Sequence, residues 1–140
     1  MKKLIFVLFL FVSIFAKSQG VVYTSYYNTF SRYSDVSQTW VELSNTQSKI
    51  SIEFDDDQNS VTVLSANPKV YYGYGKPRHV SGTTVENDVW DGIEKSCYWR
   101  ENELLKDAEY RLVRYRSGNF RFDVFYWKDN NYYCLSYWVH

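Results

Sequence analysis

The chain has 140 residues, sixteen Lys and Arg against sixteen Asp and Glu, two His, two Cys, and aromatic side chains at 20% of positions. That length suits one domain, and balanced charge argues against non-specific nucleic-acid binding, which runs on excess Lys and Arg. Two histidines leave a catalytic zinc centre short of ligands.

The N-terminus reads as an address for export. Lys2 and Lys3 precede an apolar run over residues 4–15, and Ala16, Lys17 and Ser18 give a small-x-small cleavage signal, the layout of a secretory leader. A run of about twelve residues, apolar except for Ser13, falls short of the ~20 that span a bilayer as a helix. Residues 1–18 are therefore expected to be removed, leaving 19–140 as a single β domain, secreted or periplasmic. Loss of Lys2, Lys3 and Lys17 leaves a net charge of −3. Fourteen Tyr, five Trp and five of the nine Phe remain. These residues favour strands, and Tyr and Trp join an apolar body to a polar tip.

Residues 21–27 are a candidate edge strand, and 40–43 a second short one. Over 49–55, Ile50, Ile52 and Phe54 alternate with Lys49, Ser51, Glu53 and Asp55, the period of a strand with one buried face. A turn at 56–59 leads to a returning strand at 60–66, and residues 69–74 follow as another. Residues 78–91 read as mostly irregular, with a short strand near 83–85. A strand at 93–101 carries Ile93, Cys97 and Trp99 on one face, Glu94, Tyr98 and Arg100 on the other. Residues 102–106 suggest a loop or single helical turn, followed by a strand at 108–116. Ser117, Gly118 and Asn119 form a hairpin turn into a strand at 120–127, and Asp129, Asn130 and Asn131 turn the chain into the last strand, 132–139.

Short strands joined by tight turns predict an all-β fold, one antiparallel meander of about eight strands, barrel-like, with a two-sheet sandwich as the alternative. An eight-strand meander resembles the calycin-type barrels in architecture. That resemblance implies, as one option, a carrier of a small apolar ligand.

Several groups are candidates for chemistry. Cys97 and Cys134 are a candidate disulfide in an oxidising compartment, closing a loop worth ~2–4 kcal/mol; the alternative is two separate buried thiols. Asp55, Asp57 and Asn59 begin like a calcium loop, but Ser60 and Ala66 stand where it needs Gly and Glu, so an acidic turn is expected. Glu86, Asp88, Asp91 and Glu94 cluster around Trp90 and raise the question of a glycosidic acid–base pair. His79 and His140 lack the partners of a triad. Arg111, Arg114, Arg116 and Arg121 surround the 117–119 turn, and facing acids such as Asp123 and Glu109 make a mixed-charge face the expectation.

The expected function is a non-catalytic exported binding protein. Its ligand contacts would be exposed Tyr72, Tyr74, Trp90, Trp99 and Trp127, which offer large area at low entropic cost. The partner is an unknown small molecule, glycan or protein. Neither nucleic acid nor, after leader cleavage, a membrane is expected, and no cofactor is implied. The main alternative is a protein–protein module, such as an inhibitor of a secreted hydrolase, presenting residues 73–91 as a protruding loop.

Overall fold

A computed structural model describes residues 21–55 and 59–139. The expected leader at 1–18 lies outside them, as do Asp57 and His140. Ten strands follow in chain order: β1 (Val21–Ser34), β2 (Thr39–Thr46), β3 (Ile50–Asp55), β4 (Ser60–Leu64), β5 (Lys69–Gly73), β6 (Arg78–Thr83), β7 (Val89–Glu101), β8 (Leu104–Tyr115), β9 (Phe120–Lys128) and β10 (Asn131–Val139). All pair antiparallel in one sheet, and β10 returns to β1 to close an eight-strand barrel.

Two long strands carry the extra pairings. The first half of β1 pairs with β3 and its second half with β2. The second half of β7 pairs with β5 and its first half with β6. So β2 and β6 are flaps on the barrel wall rather than staves of it.

Turn chemistry sets the register of the last four strands. Asn102 and Glu103 join β7 to β8, and Asp129 and Asn130 join β9 to β10, each as two residues of positive φ. That backbone matches the twist of a two-residue hairpin. The β8–β9 loop uses Gly118 at φ 98°, where a glycine avoids a Cβ clash. Positions 102–103 are thus a tight turn, not a helical one, and β8 starts at Leu104. Residues 78–91 are not irregular either: β6 pairs along β7 from Arg78 opposite Glu94 to Thr83 opposite Val89.

Alternation then sorts side chains between two faces. The inner face collects Ile52, Val61, Val63, Tyr71, Cys97, Trp99, Tyr110, Phe122, Val124 and Tyr137 in one apolar cluster. Phe122 sits at its centre, with Phe54, Tyr71, Tyr110 and Tyr137 all within 6.4 Å ring to ring. Burial pushes the Tyr137 hydroxyl up to about 12.

Cys97 and Cys134 are free and buried. Cys97 faces the inner cluster, whereas Cys134 lies on the outer face of β10 beside the Ser136 hydroxyl. Strands β8 and β9 stand between them, which at ~4.8 Å per strand separates the backbones by about 14 Å, twice what a disulfide spans. The expected bridge is therefore corrected to two thiols. Burial, with Glu109 and Asp107 nearby, pushes Cys97 up to about 12, and burial with Asp123 does the same to Cys134.

Candidate functional site

The outer face of β7 to β10 is also substantially buried: Val113, Tyr115, Phe125 and Cys134 lie there together with two carboxylates, Glu94 and Asp123. In one cross-strand row, Arg78 lies opposite Glu94, Glu94 opposite Arg111, Arg111 opposite Asp123, and Asp123 opposite Ser136. Glu94 is 3% exposed; it accepts two N–H groups of Arg111 at 2.8 and 2.5 Å and one from Arg78. Asp123 is fully buried, held by Arg121 at 2.8 Å and by the Ser136 hydroxyl at 2.6 Å. Burial pushes the Asp123 carboxyl above the usual carboxylate range, against the pull of Arg121 and Ser136. Charge alternates along the row, which is how a buried ionic face avoids an unpaired charge.

Beside this row the wall forks. Pairing between β8 and β9 ends with Glu109 opposite Phe125. Beyond it, β8 continues along β7 to Leu104, while β9 continues along β10 to Lys128. A groove of about 530 Å³ occupies the fork. One wall is Asp107 and Glu109 of β8, with Ser96 of β7 behind them; the other is Trp127 of β9 and Tyr132 of β10; Tyr74 closes one end.

Two separate stacks of aromatic rings reach into this groove. Trp127, 69% exposed, stacks on Tyr132 at 4.9 Å, because the two face each other across the turn at 129–130. Tyr132 stacks on Phe125 at 6.0 Å and meets Trp40, which leans over from β2, at 5.4 Å. On the far side Tyr74 stacks on Tyr98, and Tyr98 on Tyr72. Burial, then the Glu109 charge, pushes the Tyr132 hydroxyl up.

Two of the five expected contact residues, Tyr74 and Trp127, meet in this groove. Tyr72 lies outside it, lining a separate depression of about 370 Å³ with Tyr98 and Arg100. Trp90 lies on the opposite flank, its indole packed on Gly82, where a Cβ would come within 2.6 Å of the ring. Trp99 is corrected from surface contact to core: it is 7% exposed, edge-on to Tyr71 and Tyr126.

Two of the four acids around Trp90 have structural duties. Glu94 is clamped by two arginines, and Asp88 accepts the Ser117 hydroxyl at 2.6 Å, tying the 84–88 turn to the 117–119 turn. His79 sits exposed on β6. Among the described residues no three His, Cys, Asp or Glu side chains gather as metal ligands would.

Sequence reasoning missed Tyr132, Asp107 and Glu109 as groove residues. The signal for Tyr132 was present, since a two-residue turn at 129–130 places it opposite Trp127. The fork itself had no local signal.

No protein-family model matches the chain, and no curated protein or solved structure matches it either.

Proposed function

We propose that this protein is a non-catalytic, exported glycan-binding protein, and that sugar rings lie in the fork between β8 and β9. The observation that carries the reading is Trp127: a ring 69% exposed, yet braced by Tyr132, in the same groove as Tyr74 and two carboxylates. A braced aromatic face offers stacking area without ordering cost. Asp107 and Glu109 supply acceptors for the hydroxyl rim of a pyranose, and charge-assisted hydrogen bonds are the stronger kind. The groove volume falls within the ~300–1,000 Å³ common for small-ligand sites.

Binding without turnover is supported by where the acids sit. Both project from β8 and line the same wall. An acid–base pair must flank the bond it breaks. A carrier role for the barrel interior is disfavoured, since Tyr71, Phe122 and Trp99 fill it. Export rests on the leader-like residues 1–18 alone.

A second reading, a protein–protein module, draws on a different feature. The β7–β8 hairpin ends in Leu104 and Leu105, 61% and 62% exposed, which is an apolar tip of the kind a partner cleft accepts. Residues 73–91 form β6 and its flanking turns, and they also present one apolar side chain, Val85, fully exposed in the turn between β6 and β7.

The test is calorimetric titration of the protein with a panel of neutral and acidic oligosaccharides, with reducing-end release measured in parallel. Saturable binding with no release is expected. No binding across the panel, or steady release of reducing ends, removes the reading.

A further inference from the structure

A second cavity adjoins the groove and differs from it in charge. It measures about 290 Å³ and lies on the outer face of β8, β9, β10 and β1, under Trp40. The two cavities share Phe125, and Tyr132 of the groove is in ring contact with Trp40 of the cavity. Part of the ionic row, Arg111, Asp123 and Ser136, lines the cavity.

Its cationic groups are fixed in place. Arg121 commits Nε to Asp123, and its guanidinium lies over the rings of Trp138 at 4.9 Å and Tyr115 at 5.6 Å. Arg111 commits Nε and one terminal nitrogen to Glu94 and lies over Phe125 at 4.6 Å. Each guanidinium has five N–H donors, so both keep donors beyond those bonds. The hydroxyls of Thr29, Ser31 and Ser136 line the same space. Arg111 and Arg121 are balanced by the carboxylates they bind, Glu94 and Asp123, and Arg78, 70% exposed, adds one positive charge at the end of the row outside the cavity, so the cavity offers an anion directed N–H donors rather than a net charge.

We infer that this cavity is an oxyanion subsite contiguous with the sugar groove, and that the ligand is an acidic glycan whose carboxylate or sulfate ester sits between Arg111 and Arg121. Planar guanidinium forks match both oxyanions, and prepaid orientation by ring stacking keeps their donors from turning back to solvent. A glycan lying on Trp127 and Tyr132 continues past Trp40 into this cavity. The inference rests on the groove reading for its sugar ring and on the arginines for its acid group.

The experiment reads the two sites separately. Arginine Nε and tryptophan indole signals of the intact protein are followed by NMR while titrating a methyl hexuronide, the matching neutral methyl hexoside and the hexoside 6-sulfate, then a neutral and an acidic oligosaccharide. The uronide or the sulfate is expected to shift Arg121 and Trp138 saturably, and the two arms tell which oxyanion is preferred. The acidic oligosaccharide is expected to move Trp127 as well and to bind at least tenfold tighter than the neutral one. The double variant Arg121→Gln with Asp123→Asn, which keeps a neutral hydrogen-bonding pair, should abolish that preference; if it does not fold, the wild-type shifts decide. Equal binding of neutral and acidic oligosaccharides, or no Arg121 response to either oxyanion, overturns the subsite while leaving the groove. Arg121 responding with Trp127 silent to every oligosaccharide overturns the groove instead.

Discussion

Glu94 offers the sharpest mutational test of the outer-face ionic row. It is 3% exposed and shared between Arg111, whose side chain is 26% exposed, and Arg78, whose side chain is 70% exposed. The two contacts should differ in worth despite sharing one carboxylate. An ion pair with a solvated partner contributes under about 1 kcal/mol, so Arg78→Ala should cost roughly 0.5 kcal/mol. Removing a buried partner strands the other charge, typically at 3–5 kcal/mol. Because Arg111 keeps some solvent and the Phe125 face, Glu94→Gln should cost about 3 kcal/mol, the lower end of that range. Replacing both charges together, Glu94→Leu with Arg111→Met, should recover most of the loss, since an apolar pair avoids the stranded charge. Urea unfolding with unchanged slope gives each value. If Arg78→Ala costs as much as Glu94→Gln, or Glu94→Gln costs under about 1 kcal/mol, the row is not a buried anchor.

Other predictions follow from single features. Denatured protein should show two titratable thiols per chain, and native Cys97 and Cys134, both held near 12, should alkylate far more slowly than in the unfolded chain; an oxidised pair after purification without reductant refutes this. Glu103 holds φ 67°, which strains a side chain with a Cβ, so Glu103→Gly should raise stability by roughly 0.5–1 kcal/mol; a lower melting temperature contradicts the turn assignment. Asp123 titrates above its ordinary 3.8, so from about that pH upward the folded state holds the proton more tightly than the unfolded one. Wild-type stability relative to Asp123→Asn should therefore fall as pH rises through that window and level off above it; a relative rise over the same window contradicts the assignment.

The fold was readable where side chains alternate cleanly. Residues 49–55 and 120–127 declare strands by period two, and the glycine and asparagine turns after β8 and β9 fix the hairpins that follow. The faces of β7 were also readable, with Trp99 sharing one with Ile93 and Cys97; expecting Trp99 as an exposed contact gave too little weight to that shared face, which the barrel buries. Strand β6 was not readable, because Arg78, His79, Ser81, Gly82 and Thr83 surround a single large apolar residue, Val80. An edge flap with little to bury leaves little pattern.

The polar row was hidden for a different reason. Glu94, Arg111 and Asp123 each occupy the polar phase of a strand, which read alone means solvent. Only registry across three strands brings them together, and registry depends on the turns at 102–103 and 116–119. Reading 102–106 as a loop or single helical turn, five residues where the hairpin uses two, lost that registry, and with it the outer face. The fork between β8 and β9 was out of reach altogether, since both strands keep good partners on their other edges.

The proposed role stands or falls on the exposed ring in the fork. Trp127→Ala and Tyr74→Ala, titrated against the oligosaccharide that wild type binds best, should each weaken affinity about tenfold or more, consistent with ~1.4 kcal/mol per decade. Their unfolding midpoints should stay within experimental spread of wild type, as both rings are largely outside the core. Affinity unchanged in both variants would contradict the placement of the ligand on Trp127 and Tyr74.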